Sequence, residues 1–227
     1  NGRPRWEFED YSRMDSNGRG GSGGGPDKPP KNHHEDERKR REDEERRRKD
    51  EEAEGTGKDS KTVIPYGQQI EKVGNKKILK PNAKYTTPQG YTYETNEFGR
   101  IESVEADLQL GKGTRNQYAQ SNVGETDRIR GDYPDRDDGG HLIGSQFKGS
   151  GDIDNLVPMN SQINEAGGKW HQMEKEWASA LERKESVKVK INPQYTGNSA
   201  RPDSFIVEYS IDDGRTKKIT IENQIGG

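Results

Sequence analysis

The sequence predicts an α+β fold built on an antiparallel sheet with few helices, because two sets of strand-like segments frame one well-marked helix. Apolar and polar residues alternate over residues 91–95 and 101–110, and the NEFG turn between them predicts a β-hairpin. The same alternation marks residues 186–191, 204–211 and 217–223. The DDG turn between the last two segments favours a second hairpin.

One amphipathic helix is predicted from residue 169 to about residue 184. Trp170, Met173, Trp177 and Leu181 recur there at helical spacing and form one apolar face. Because this spacing is typical of a stripe that faces a core, we assign these residues to packing rather than to chemistry.

The first 60 residues differ in composition from the rest of the chain. Only 24% of the 227 residues are hydrophobic, which is low for a chain that folds throughout. Residues 17–32 are rich in glycine and proline, and residues 35–54 are almost entirely charged, with acids four positions before bases. We predict a disordered, partly helical tail or linker over residues 1–60 and a folded domain over residues 62–227. For the charged block, a solvated segment is favoured over a spacer or partner handle.

Several classes of protein are disfavoured by composition. The net charge of −3 gives no global attraction to nucleic acid, so any such binding would need a local patch. The absence of cysteine excludes thiol nucleophiles and zinc sites built on cysteine pairs. No apolar run approaches the length of about 20 residues that a membrane span needs. Because the chain starts at Asn1 without an initiator methionine, we expect a processed or excised fragment.

A compact ββα unit is predicted within residues 137–177. His141 follows Gly139 and Gly140, which we expect to allow an unusual turn and a close substrate approach, and then enters the short apolar segment HLI. A glycine-containing return leads to a second short strand with Asn155 at its start and Pro158 at its end. The predicted helix follows.

This unit brings a histidine and an amide into one cleft, since Asn164 lies just before the helix. One histidine and one amide suit metal-assisted phosphodiester hydrolysis, in which imidazole takes a proton from water and a hard cation holds phosphate oxygens. An asparagine oxygen is a poor zinc ligand and an adequate magnesium ligand. A turn histidine and a helix-capping asparagine are the alternative explanation of these two residues taken alone.

The order of residues in this stretch resembles the DNA/RNA non-specific endonuclease family, within the ββα-metal or His-Me finger superfamily. The resemblance covers roughly residues 80–222 and is strongest to nuclease toxin domains of secreted bacterial proteins, including those of the LXG class. Its motif is specific, because several residues keep fixed spacings. In this sequence it consists of Asp138, Gly139, Gly140, His141, Asn155, Asn164, Trp170 and Glu174.

The resemblance implies a role for each of four polar residues. It makes His141 the general base and Asn164 the direct ligand of one Mg²⁺ or Mn²⁺ ion. It makes Glu174 a residue that holds metal-bound waters, and Asn155 a residue that orients the histidine loop or a water.

Better-known family members carry an arginine where this chain has Gly139, so the arginine that contacts phosphate must come from elsewhere. We favour Arg136 because it is close in sequence, with Arg115 and Arg128 as alternatives. Basic residues that cluster before the histidine are predicted to line a groove for phosphates, although for each one alone a place on a solvated surface is the better explanation. They are Lys112, Arg115, Arg128, Arg130 and Arg136.

The resulting hypothesis is a Mg²⁺-dependent endonuclease that cleaves DNA, RNA or both with little sequence preference, because backbone contacts carry no sequence information. The resemblance further implies a bacterial toxin domain that is secreted or delivered into a target cell, and a cognate acidic immunity protein. Two alternatives stay open: a module that binds nucleic acid without cutting it, and a structural adaptor organised by the charged segment.

Overall fold

A computed structural model describes residues 60–227, so the predicted tail and its charged helix lie outside the described residues. The described part has eleven strands and three helices. The strands are β1 (Thr62–Val63), β2 (Ile70–Val73), β3 (Lys76–Leu79), β4 (Ala83–Thr86), β5 (Thr92–Thr95), β6 (Ile101–Asp107), β7 (Asp137–His141), β8 (Leu156–Asn160), β9 (Val187–Gln194), β10 (Ser204–Ile211) and β11 (Lys217–Glu222). The helices are α1 (Gln117–Asn122), α2 (Ser161–Asn164) and α3 (Lys169–Glu182).

Seven strands form the main sheet in the order β1-β4-β5-β6-β9-β10-β11. All neighbours are antiparallel except the short edge pair β1–β4. The two predicted hairpins are present as β5–β6 and β10–β11. The predicted α+β class is confirmed.

Helix α3 packs its apolar stripe on the sheet, as its spacing predicts. Trp170 and Trp177 are 1% and 0% exposed. The ring of Trp170 meets that of Phe205 edge-on at 5.0 Å between centroids, and Trp177 meets Tyr209 at 5.6 Å. Edge-to-face pairs of this kind add stability beyond the apolar area that they bury, and they hold α3 at a fixed distance from the sheet.

The predicted ββα unit is also present, with two differences in detail. Strands β7 and β8 form a separate two-stranded antiparallel sheet, in which His141 pairs with Leu156 and Gly139 with Pro158. His141 therefore ends its strand instead of beginning one. Pro158 lies in the middle of β8, where it is tolerated because β8 has only one strand partner.

The helices within residues 60–227 lack the combination of length and apolar character that a membrane crossing requires.

Candidate active site

A polar cleft of about 630 Å³ lies where the ends of β7 and α2, the first turns of α3 and the short helix α1 converge. Its walls contain three of the four motif residues to which the resemblance assigned roles. The lining side chains that bear on the chemistry are Arg115, Arg128, Asp138, His141, Asn164, His171 and Glu174.

The two glycines before His141 allow close packing and not the unusual turn that the sequence suggested. Neither has a positive φ. A Cβ on Gly140 would lie 2.6 Å from Cβ of Met159, and a Cβ on Gly139 would overlap the backbone of Gln120. Because glycine has no side chain, β8 and α1 can approach the strand that carries His141.

The His141 imidazole is held neutral by its surroundings. Burial lowers its pKa to about 4, because the charged form loses solvation, and the positive charge of Arg115 acts in the same direction. Nε2 is buried and has no hydrogen-bond partner among the described residues. Since His141 borders the cleft, Nδ1 is the ring nitrogen left to meet solvent there. An unprotonated ring can accept a proton at neutral pH.

Asn164 ends α2 and is tied to the residue that opens the family motif. Its Nδ2 donates to Oδ2 of Asp138 at 3.2 Å, a contact that spans 26 residues of sequence. Within residues 60–227 no hydrogen bond engages the amide oxygen of Asn164. The amide is thus oriented by its nitrogen, and its oxygen is the atom available to a cation.

Glu174 reaches the same cleft from α3. Burial raises the pKa of its carboxyl from 4.5 to about 7, although the nearby backbone of Gly144 acts in the opposite direction. A Cβ on Gly144 would lie 2.5 Å from Oε1 of Glu174, so the glycine leaves room for the carboxyl in this position. A carboxylate with so little compensating charge suits the neighbourhood of a cation.

These side chains fit a hard divalent cation. Asp138, Asn164 and Glu174 bring side-chain oxygen atoms to the cleft. Oxygen is the ligand atom that Mg²⁺ and Mn²⁺ prefer. Among the described residues there is no group of three His, Cys, Asp or Glu side chains that could hold a metal ion by themselves. Mg²⁺ keeps several of its waters in proteins and needs few protein ligands.

Two of the five basic candidates line the cleft. Arg115 is exposed there, and its Nε donates to Ser145 Oγ at 3.3 Å. Arg128 is half-buried. Its guanidinium donates to the backbone carbonyl of Gln120 and, at 2.8 Å, to that of Asp137. Burial lowers the pKa of Arg128. Arg115 is thus the more accessible cation beside His141, and Arg128 joins α1 to β7.

The other three basic candidates are not brought into the cleft lining. The guanidinium of Arg136, which the sequence favoured, is paired with Glu165 at 3.3 Å and with Asp138 at 3.8 Å. Arg136 is therefore connected to the cleft by its ion pair with Asp138, which does line the cleft. Lys112 and Arg130 are exposed elsewhere on the surface.

Asn155 is fully buried behind the cleft, where it shapes the loop that follows His141. Its Oδ1 accepts from Tyr93 Oη at 2.7 Å and from the backbone N–H of Ile143 at 2.9 Å. Its Nδ2 donates to the carbonyls of Ile143 and Ser150 at 2.8 and 2.7 Å. With every polar atom engaged in this way, Asn155 fixes the chain on either side of the histidine loop.

Two features of the site were not predicted from the sequence. The fully buried carboxylate of Asp137 accepts from Nε and Nη2 of Arg201 at 2.8 and 2.9 Å, which ties β7 to the β9–β10 loop. His171 lines the cleft from α3. Its spacing of three residues from Glu174 places both on one helix face, a signal that the sequence did contain.

The raised pKa of Glu174 leads to a stability prediction. The folded protein holds this proton more tightly than the unfolded chain, so its contribution to stability is complete below pH 4.5 and is lost as pH rises through about 7. At pH 8 and in the presence of a chelator, the free energy of unfolding of Glu174→Gln should therefore exceed that of wild type by up to about 3 kcal/mol. The gain should vanish near pH 4.5, as followed by urea denaturation.

Glu176, two residues further along α3, is the matched control. Hydrogen bonds from Lys217 and Tyr209 lower the pKa of its carboxyl, so Glu176→Gln should not gain stability at pH 8. An equal gain for both variants would contradict the assignment of a specific buried charge to Glu174.

Comparison with known proteins shows the family to which the chain belongs. A family model for DNA/RNA non-specific endonuclease matches residues 81–213, which is more than half of the chain. The chain is 45% identical over 159 residues to the type VII secretion system protein EssD of Staphylococcus aureus strain USA300, and equally to that of strain NCTC 8325. The match covers 68% of this chain and 25% of EssD, so the chain spans about a quarter of the length of these relatives.

Similar solved structures include NucA from Streptococcus agalactiae with magnesium bound, at 16% identity and a TM-score of 0.49 over 59% of this chain and 70% of that one. The Sda1 nuclease with bound zinc is similar at 14% identity and a TM-score of 0.47, over 69% and 80% of the two chains. On the extent of the family match, the chain belongs to the DNA/RNA non-specific endonuclease family and is a nucleic-acid hydrolase.

Proposed function

We propose that the chain hydrolyses phosphodiester bonds of DNA, RNA or both with one Mg²⁺ ion, which Mn²⁺ can replace. The observation that carries this proposal is the convergence of His141, Asn164 and Glu174 on one polar cleft from three different elements. An imidazole and a small set of oxygen donors at one cleft suit metal-assisted attack of water on a phosphate.

Three residues of the cleft have defined tasks in this reaction. The neutral ring of His141 takes a proton from the attacking water. Asn164, held by Asp138, would bind the ion through its amide oxygen, and Glu174 would hold waters of the ion. When bound, the ion supplies positive charge that offsets the charge developing on the phosphate and the leaving oxygen.

Arg115 is the residue that we assign to the scissile phosphate, replacing Arg136 in that role. It is exposed in the cleft beside His141, whereas Arg136 is engaged by Asp138 and Glu165. Arg128, Arg130, Arg136 and Lys112 are left to support the fold or to meet the backbone beyond the cleft. Contacts of this kind carry no sequence information, so cleavage is expected to be tolerant of sequence.

The direct test is cleavage of plasmid DNA and of a structured RNA by the full chain. We expect nicking and then degradation of at least one substrate with Mg²⁺ or Mn²⁺, and no cleavage when a chelator is present. Cleavage that survives the chelator would contradict a metal-dependent reaction. No cleavage of either nucleic acid with either metal would contradict the proposed function as a whole.

We also propose that this nuclease acts as a toxin that is secreted by bacteria and delivered into a target cell. The support is the identity of 45% to EssD, a protein named for type VII secretion. A producer of such an enzyme needs an inhibitor, which we propose to be an acidic protein that covers the cleft as a phosphate mimic.

Expression in a bacterial host tests the toxin proposal. The wild-type chain should arrest growth, and His141→Ala should not. If both express equally well and neither harms the host, the toxin proposal fails.

We propose a nuclease domain over residues 62–227 that is preceded by a tail or linker over residues 1–60. Among residues 60–227, those that line the cleft run from Arg115 to Glu174, and the sheet begins at Thr62. A protein that starts at Ser60 should therefore keep the plasmid cleavage rate of the full chain to within about twofold. A larger loss with an unchanged circular dichroism spectrum would give the tail a working role.

A further inference from the structure

Helix α1 separates the catalytic cleft from a second depression. Gln117 and Gln120 face the cleft, whereas Tyr118 and Asn122 line a neighbouring groove of about 710 Å³. This volume is in the range of pockets that hold small organic ligands. Because one short helix forms a wall of both, a ligand that crosses α1 contacts both depressions.

Helix α1 is firmly attached to the strand that carries His141. Gly139 of β7 lies directly against the backbone of Gln120, where a Cβ would sit 2.5 Å from the Cα of Gln120. Arg128 joins the carbonyls of Gln120 and Asp137, and the side chain of Asn116 caps the helix by accepting from Ala119 N at 3.1 Å. The position of α1 relative to the catalytic histidine is therefore well defined.

Tyr118 is the most exposed large hydrophobic residue on this helix, with 77% of its surface accessible. Its backbone carbonyl accepts from Asn122 Nδ2 at 2.7 Å, which is a contact within the helix. The ring is not part of the hydrophobic core of the described residues. An aromatic ring that contributes so little to packing is available to a ligand.

A second set of planar groups lines the same groove. Phe98 is 52% exposed, and the guanidinium of Arg100 lies 4.7 Å from its ring centroid and 4.5 Å from that of Tyr195. Carbonyls of Gly197 and Ser199 accept from Nη1 of Arg100 at 2.8 and 2.9 Å and hold it in place. These flat surfaces offer stacking to another flat group.

The charges around the groove are largely paired with one another. Lys77 forms an ion pair with Asp152 at 2.6 Å, and Lys76 is paired with Glu125. Glu97 and Asp127 add further negative charge to the lining, and Lys72 and Arg100 add positive charge, so that acids and bases balance. A phosphate would meet no concentrated positive charge here, whereas a neutral planar group finds exposed rings and amides.

We propose that this groove binds a nucleobase of the strand whose scissile phosphate occupies the catalytic cleft, with the base stacked on Tyr118. The inference rests on the proposed nuclease function and adds a contact away from the chemistry. A helix with its side chains is about 10 Å across. A strand that advances about 3.4 Å or more per nucleotide crosses α1 within about three nucleotides.

The test measures binding of a fluorescent single-stranded 12-mer to the full chain in the His141→Ala background and in a chelator, so that no cleavage interferes. Tyr118→Ala should raise Kd by about 5- to 100-fold, the range expected for one base–aromatic stack. Tyr118→Phe keeps the ring and should stay within about threefold of the parent. Tyr133→Ala is the matched control, because Tyr133 is 52% exposed and lines neither depression.

Two further readouts separate stacking from a phosphate contact and from misfolding. The slope of log Kd against log salt concentration should be the same for Tyr118→Ala and the parent, because no phosphate contact is lost. The melting temperature should also be unchanged. A Kd within twofold of the parent for Tyr118→Ala, a loss equal to that of Tyr133→Ala, or a reduced salt slope would each overturn the proposal.

The outcome is distinguishable from failure of the proposed function. Binding in the chelator does not depend on turnover, so an inactive wild type with a Tyr118-dependent Kd contradicts only the nuclease reaction. An active wild type with a Tyr118-independent Kd contradicts only the base site.

Discussion

Replacing His141 with alanine should lower the plasmid cleavage rate by about 10² to 10⁴ fold, the usual contribution of a general base. Affinity for Mg²⁺ and for nucleic acid should stay within a few fold of wild type, because neither depends on the imidazole. Single-turnover cleavage, metal titration and oligonucleotide binding measure the three quantities separately. Cleavage by His141→Ala at the wild-type rate would show that the reaction proposed here is wrong.

Two variants control this result. His171→Ala removes the other histidine of the cleft and should retain much more activity than His141→Ala, which distinguishes the two imidazoles as bases. Trp177→Ala truncates a fully buried ring of the α3 stripe and should lower the free energy of unfolding by about 3 to 5 kcal/mol. Its loss of activity should follow its loss of folding as temperature rises.

Replacing Asn164 with alanine should weaken both metal binding and turnover. The amide oxygen is the only direct protein ligand that we propose, so the Kd for Mg²⁺ should rise by at least about tenfold. Calorimetric titration of the metal gives this value without reference to activity. The expected pattern differs from that of His141→Ala, in which turnover falls and metal affinity remains.

Asn164→Asp is the matched variant for the metal prediction. It keeps an oxygen donor but replaces the amide nitrogen that donates to Asp138 at 3.2 Å, and so brings two carboxylates together. Metal should stabilise this variant against heat more than it stabilises wild type, because a cation relieves their repulsion. Unchanged metal affinity in Asn164→Ala would remove Asn164 as the ligand.

The local pattern of apolar and polar residues was sufficient to predict most strands of the main sheet and the helix that packs on it. The alternation of apolar residues predicted β5, β6, β9, β10 and β11, and the spacing of Trp170, Met173 and Trp177 predicted α3 and its buried face. Both periodicities arise because burial on one side of a strand or helix imposes its repeat directly on the sequence. The ordered motif from Asp138 to Glu174 likewise indicated the family, which the family match then confirmed.

The sequence by itself therefore determined the fold class and the ββα unit. It also identified His141, Asn164 and Glu174 as candidate site residues. Tertiary structure decided which arginine meets the cleft, because Arg115 contacts Ser145 at the cleft whereas Arg136 is paired with Glu165, 29 residues further along the chain. It also decided the pKa of His141, the pairing of Asp137 with Arg201 and the place of Tyr118 beside a second groove. Each depends on desolvation or on contacts between segments far apart in the chain, which no local repeat encodes.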